Sequence, residues 1–497
     1  MNIFDFFKKD KTQGQKAQYI TIRPQNYAAA QNSNLTFSWT HYKYTSDQII
    51  KKYFTTLVAR SCEQCMNNPY ATRFLSLLEN NVIGENGIML QAQAKDINGQ
   101  LDTAANDAQE KAWKDWGRSK NCDITGKLNF IAIQKLIIKT IAREGEALIR
   151  ILKGTNAGNW GFSLQLIDTR RLDVNYNKNL DNGHAIRFGI EFNEYGRPLK
   201  YFIKKHDEDI IGQTTYGGQY YEVPAEEIIH AFIPQWIDQK RGLPWFSTTL
   251  MRMNMLNGFE EAAVEHARAG ACQMGFITNN DPEAYEDEDE DMGDLNIEAT
   301  PASFQVLPAG FDVKKFDPAY PNGEFDTFTK AMLRGVAVGL NSGYSDISGD
   351  LSSVNFSSLR QGILDTREVW KGLQEWFKST ITERIHEEWL KYSLLASKIP
   401  CKGGYLKPER IDKYRDVTWT MRRWSWIDPV KDTNAAASSV ANGFRSRSDV
   451  IREQGRDPDE VWAEIEKENE IIRDKNILVK NEVIKDVSEE EDQTKDK

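Results

Sequence analysis

The longest helical periodicity in the chain spans residues 328–389 and is interrupted once. Apolar residues recur at Phe328, Met332, Val336 and Leu340, and again at Leu359, Ile363, Trp370, Leu373, Phe377, Ile381, Ile385 and Trp389. Steps of three, four and seven set each group on one side of a helix. Residues 341–355 lie between, rich in Ser, Gly, Asp and Asn, which favour turns and local side-chain hydrogen bonds. The pattern predicts helix, small polar loop, long helix, with Ser357 or Ser358 as the cap of the second helix and no break before Pro400. Leu364, Val369 and Trp376 stand off the main stripe of that helix, so masking it takes neighbours on more than one side. By periodicity alone the segment is a helical hairpin with a surface loop.

The same reading extends along the chain. Residues 46–80 are helical, with a turn at Asn67-Asn68-Pro69, and residues 107–116 and 128–143 form two further helices. Strands are expected over 87–92, 146–152, 162–167, 185–192, 199–204, 220–223 and 228–232, so that residues 40–240 make one α+β domain. Gly242-Leu243-Pro244 opens a helix with Phe246, Leu250, Met253, Leu256, Phe259 and Ala263 on one face. Residues 281–294 hold nine acids and no base, the mark of a solvated loop; they lack the glycine-centred spacing of a calcium loop. Short strands follow at 304–307 and 311–316, a strand at 417–426, helices at 434–442, 446–453 and 459–476, and a charged, disordered tail at 483–497.

At 497 residues the chain exceeds a single core, and 40% hydrophobic content with 11% aromatics specifies folded protein. No apolar run reaches the length of a membrane span. The N-terminal residues lack the layout of a secretory signal, and residues 1–40 are expected to form an N-terminal arm, loosely held to about Asn34. Five cysteines leave one over, so they are no disulfide framework, and a reducing site of synthesis fits. Cys62-Glu63-Gln64-Cys65 has redox or half-zinc spacing, but no second pair completes four ligands and the motif falls within a helix; the two thiols are read as incidental. The formal charge of −10 argues against a protein that grips nucleic acid by its phosphates, though not against contact without a grip.

The motifs of catalysis are missing: there is no GxGxxG, no GK[ST] phosphate loop, no HExxH and no GxSxG. His230 sits in an alternating apolar strand and reads as a hydrogen-bonded core residue; His266, on a helix among Glu260, Glu261 and Glu265, reads as exposed or at an interface. Trp113, Trp116, Trp370, Trp376, Trp389, Trp424 and Trp426 could stack on bases, but at helical or alternating spacing tryptophan is more often core or subunit interface. Carboxylates abound without a marked acid–base pair. No catalytic residue, metal ligand or cofactor site is assigned.

Taken in order, these residues resemble the portal proteins of tailed bacteriophages, in particular the lambda-like portal family. The resemblance runs from about residue 55 to 475. It is carried by Asn67-Asn68-Pro69-Tyr70-Ala71, Val82-Ile83-Gly84, Trp113 with Trp116, Arg143-Glu144-Gly145-Glu146, Leu164 to Asp168, Gly189 to Pro198, Val223 to His230 and Gln239 to Pro244. It is densest at Leu333 to Ala337, Tyr344 to Asp350 and Asn355 to Arg360, and closes with Asp428 to Lys431, Gly443 to Arg447 and Gly455 to Glu460. The acidic run at 281–294 departs from the family, as does the weakly apolar Asn341-Ser342-Gly343.

The resemblance implies an α+β portal fold assembled as a ring, usually of twelve subunits. Residues 41–242 and 356–430 would form an outer wing with the long helix. Residues 243–272 and 323–340 would be two stem helices, 273–322 a small β-containing clip, 341–355 a tunnel loop and 431–482 a helical crown. The DNA-facing residues would be Asn341, Ser342, Tyr344, Ser345, Asp346, Ser348, Asp350, Ser352, Ser353 and Asn355. Subunit contacts are expected at Trp370, Leu373, Trp376, Phe377, Phe259 and Ala263. Implied partners are further copies of the chain, the large terminase subunit, the major capsid and scaffolding proteins, head–tail connector proteins and double-stranded DNA, read without sequence preference. The implied setting is the capsid vertex, and the host cytoplasm during assembly. Twelve copies of a −10 chain carry about −120, and the loop has two acids and no Lys or Arg, so it is expected to hold DNA loosely. The competing reading is a nucleic-acid-processing enzyme with an unrecognised carboxylate metal site.

Overall fold

The computed structural model describes residues 38, 43–181, 183–207, 215–271, 275–279, 311–315, 324–352, 356–424 and 429–474. The chain divides into a unit of residues 1–45 and a unit of residues 46–497, and the elements below lie in the second. The expected arm, acidic run, strand at 304–307 and tail fall outside the described residues.

The second unit begins with helix Ser46–Asn67, which turns at Asn68 into helix Pro69–Leu78. Asn68 makes that turn: its side chain accepts from the amides of Tyr70 and Ala71, and Pro69 takes the first helical position, where no N–H is needed. Helix Thr103–Trp116 starts earlier than periodicity suggests because Asp102 caps it, and helix Phe130–Glu144 is capped by Asn129 and stopped by Gly145 in the left-handed region, φ +96°.

Three antiparallel strands follow in the order Phe162–Ile167, Ala147–Lys153, Ile228–Ala231. A five-stranded antiparallel sheet is built from Lys178–Asn179, Ala185–Arg187, Ile190–Phe192, Pro198–Asp207 and Thr215–Pro224, in chain order. The single strand expected over 185–192 is two: Phe188 and Gly189 both take positive φ, and Arg187 pairs with Ile190 across the tight turn.

One core joins distant parts of the chain. Trp113, Trp116, Phe130, Phe162 and Trp389 pack with ring centroids about 5–6 Å apart, Trp113 edge-on to Trp389 at 4.9 Å. The same core takes in Phe74, Phe246, Val336, Leu340, Trp370 and Phe377. Each such aromatic, fully buried, contributes about 1.5–3 kcal/mol from apolar transfer. The tryptophans named from spacing as core include Trp113, Trp116, Trp370 and Trp389, and these are buried.

The long helix runs from Phe356 to Leu395 as Phe356–Phe377, a π-helical segment Lys378–Thr382, and Glu383–Leu395. The π turn lets Phe377, Ile381, Ile385 and Trp389 all stay buried. The chain then returns so that Val417–Thr420 pairs antiparallel with Met89–Ala92, joining the two ends of the α+β body; the strand expected to reach residue 426 stops at Thr420.

Two helices, Leu250–Ala271 and Glu324–Gly339, pack against each other. A Cβ on Gly339 would lie 2.4 Å from Thr249 Cγ2, so the approach needs glycine there. Phe259 stacks on Phe325 at 5.4 Å and meets Phe328 at 4.7 Å. The helix expected from residue 243 becomes α-helical only at Leu250: Trp245–Thr248 is a 3₁₀ turn, held by the Ser247 hydroxyl donating to the Pro244 carbonyl at 2.6 Å. Beyond these helices Gly275–Asn279 pairs antiparallel with Phe311–Lys315, so the strand expected at 311–316 finds a partner that periodicity did not pick out. Helices Pro429–Ala441, Arg447–Glu453 and Pro458–Asp474 end the described chain, the middle one opened by a capping box at Ser446 and Asp449.

Candidate functional site

The polar interruption at 341–355 is the candidate site. Asn341 takes φ +51° and ends the helix before it, a conformation asparagine tolerates better than most residues. Tyr344–Ser348 then forms one short helix, closed by Gly349 at φ +71°. The expected surface turn is therefore half docked. Ile347 is buried, 3% exposed, in the core that holds Phe74 and Trp370. An isolated Ile among polar residues has no periodicity to announce it, so sequence reasoning missed this anchor.

The predicted loop residues separate into two groups. Ser342, Tyr344, Ser345, Asp346, Ser348 and Asp350 are partly buried, whereas Asn341 and Ser352 are exposed; Ser353 and Asn355 lie outside the described residues. Asp350 is a local hub. It accepts from the Tyr344 hydroxyl at 3.0 Å, and its other oxygen accepts from the Ser352 amide and hydroxyl at 2.9 and 2.6 Å. The Ser352 bonds and then Tyr344 hold its carboxyl below the usual carboxylate range, against the small effect of burial. Burial instead pushes Asp346 up.

The loop sequence contains no base, but its surroundings supply several. Lys330 Nζ lies 3.5 Å from Asp350, the Arg334 guanidinium lies 5.6 Å from the Tyr344 ring, and Arg73 Nε donates to the Asp346 carbonyl at 3.0 Å. The Asp350 carboxylate is thus answered within one chain, which limits the charge the loop presents, while Arg73 meets the backbone of Asp346 and not its carboxylate.

The residues expected at a subunit contact behave differently from one another. Trp370 is 3% exposed and Phe377 is 0% exposed, both inside one chain. Trp370 lies 6.5 Å from Phe74 of helix Pro69–Leu78, and the long helix packs on the π-helical turn Glu79–Ile83 that follows it, so the body supplies the neighbour that the periodicity demanded. Ala263 is buried, and Phe259 is spent on Phe325 and Phe328. Leu373 and Trp376 are half-buried against the same core. The apolar side chains left open are others: Met251, Met255 and Val264 on the first paired helix, at 64%, 60% and 52% exposure, and Leu364 and Val369 on the long helix.

Two sequence motifs meet in the body. Glu146 and Arg241 are both fully buried; Arg241 Nε donates to Glu146 at 2.8 Å, and the Gly242 amide donates to the same carboxylate at 2.9 Å. Burial alone would raise the Glu146 pKa, but Arg241 and then His230 outweigh it and bring it down to about 2. His230 Nε2 lies 3.0 Å from Glu146, so this histidine is the hydrogen-bonded core residue that its strand suggested. A Cβ on Gly242 would lie 2.0 Å from the Gly145 carbonyl oxygen, which explains glycine at both positions.

Cys62 and Cys65 lie on helix Ser46–Asn67, half-buried; burial pushes both thiols up, Cys65 to about 12, away from the thiolate that redox or metal chemistry needs. Among the described residues no group of three His, Cys, Asp or Glu side chains could hold a metal ion. No described helix is long and apolar enough to cross a membrane.

The comparison with family models is decisive. The model of the phage portal protein, lambda family, matches residues 32–374. The chain belongs to the lambda family of phage portal proteins. It is 33% identical over 465 residues to the "Probable portal protein" of Halomonas phage phiHAP-1, covering 92% of this chain and 88% of that protein. It is 21% identical to "Portal protein B" of Escherichia phage lambda, with 86% of each chain covered. Among solved structures, a chain of the "Neck of empty GTA particle computed with C6 symmetry" aligns over 82% of this chain and 94% of its own, at 15% identity and a TM-score of 0.42. Membership of the family makes this a structural protein of the virion, the connector between head and tail at the portal vertex.

Proposed function

We propose that copies of this chain close into a ring, of about twelve subunits, around a channel for double-stranded DNA, and that residues 341–355 line it. The paired helices Leu250–Ala271 and Glu324–Gly339 would form the stem, residues 273–322 the clip, residues 41–242 and 356–430 the wing, and 431–482 the crown. The observation that carries this reading is the loop itself. It joins one stem helix to the long helix, bears no Lys or Arg, and has its Asp350 carboxylate answered within the chain. Such a surface touches a phosphate backbone without releasing counterions, so it guides DNA with little drag and no sequence preference. The ring has no catalytic role in this reading: translocation is driven by the large terminase subunit, and assembly in the host cytoplasm involves scaffolding, capsid and connector proteins.

Deleting residues 342–352 tests the assignment. Negative-stain images should still show rings, while particles assembled with the variant package or retain less DNA, read by nuclease-protected DNA per particle. Normally filled particles would remove the loop from the channel wall.

A further inference from the structure

A cavity of about 550 Å³ opens between the long helix and the C-terminal helices. Six of its lining residues are cations: Arg360, Arg367, Lys371, Arg423, Arg445 and Arg452. Its three lining anions are already engaged, Asp432 by Arg360 at 3.1 Å, Glu368 by Lys371 at 2.6 Å, and Glu453 by Arg445. The lining thus holds six bases to three acids in a chain whose total is −10, with Arg452 also meeting Asp449 beside it at 3.2 Å.

The cations are concentrated rather than scattered. Arg360, Arg367 and Lys371 repeat at steps of seven and four, a line on one helix face about 16 Å long. Arg367 lies 5.6 Å from the Trp424 ring and Arg422 lies 5.7 Å from the same ring. Burial, and then repulsion by Arg422, hold Arg367 below its ordinary pKa; burial does the same to Arg423. Cations crowded to this degree gain from an anion that enters among them.

We propose that this groove binds the phosphate backbone of double-stranded DNA without sequence preference, an inference that rests on the portal reading above. Guanidinium forks suit phosphate oxygens, and a line of charge of this length can meet successive phosphates of one strand. The apolar lining is confined to Leu364, Ala435, Ala436 and Trp424, which gives a peptide partner little to anchor on. The chain in this way separates the two jobs: a loop without bases where DNA slides, and a basic groove elsewhere where DNA is held.

The test uses the full chain assembled as rings and a duplex of about 30 base pairs of arbitrary sequence, followed by fluorescence anisotropy over a salt series. Lys371→Gln combined with Arg452→Gln removes two cations whose side chains are 47% and 52% exposed, so the fold should be kept. The double variant should bind several-fold more weakly and flatten the dependence of log K on log salt by about two. Arg423→Glu should weaken binding further. Binding unchanged in both variants overturns the groove, as does an acidic peptide that binds more tightly than the duplex and loses affinity in the same variants. Negative stain of the same samples reads the portal assignment separately: rings with variant-insensitive binding sink only the groove, and a chain that never forms rings counts against the portal reading.

Discussion

Glu146 and Arg241 are charges removed entirely from water, meeting across 95 residues of sequence. A buried pair contributes modestly as a pair, but taking one partner away strands the other. Arg241→Ala should therefore cost about 3–5 kcal/mol, read as a lowered urea midpoint with unchanged slope. The pH dependence has a definite sign. Glu146 titrates at about 2 when folded against 4.5 when not, so its contribution is complete above about 4.5 and is lost as the pH falls toward 2. Acid unfolding of the parent chain should show this loss, and Glu146→Gln should weaken the chain at neutral pH while flattening that part of the curve. Gly145 and Gly242 set the backbone spacing that brings the two charges together.

At the scale of elements, the joint between the α+β body and the last helix is titratable. Glu110 accepts from the Ala92 amide at 2.8 Å, and next to it Gln91 donates to Asp457 at 2.7 Å, just before helix Pro458–Asp474. Burial, and then the Asp457 charge, push Glu110 up to about 7, against the Ala92 bond that lowers it. A raised carboxyl stabilises the joint below its unfolded value near 4.5, and that contribution is lost as the pH rises through about 7. Protection of the Pro458–Asp474 amides, taken relative to their intrinsic exchange rates, should thus fall between about pH 5 and 8, and Glu110→Gln should remove that fall. The elements themselves were largely legible. Amphipathic stripes give the long helix and the C-terminal helices, and Asn68, Asn129 and Gly145 mark helix ends by known chemistry. What escaped was decided by non-local contacts: the split at Phe188-Gly189, the strand Gly275–Asn279, the half-docked loop, and the burial of Trp370 and Phe377 within one chain. Periodicity says that a face must be covered, and cannot say whether the cover comes from the same chain or from another copy.

For the whole molecule that distinction predicts which substitutions break assembly and which break folding. Met251 and Met255 are exposed on the first paired helix, with Val264 further along it. Apolar side chains left open in this way suit the neighbour that a ring provides. Met251→Asp with Met255→Asp should leave the circular dichroism and melting of the chain intact while light scattering under assembly conditions shows monomers in place of rings. Trp370→Ala should do the opposite, losing about 3–5 kcal/mol in the folded chain before any assembly question arises.

Ile347 gives the loop a mechanical character. Its burial in the core, with its short helix against Pro69–Leu78, means that the stretch from Leu340 to Ile347 is clamped at both ends into the body. A bristle bends and springs back without its base noticing. A clamped loop behaves as a lever: under the proposed placement on a channel wall, a load on it would reach the helix Pro69–Leu78 against which it is seated, so the body would register how hard the loop is pressed.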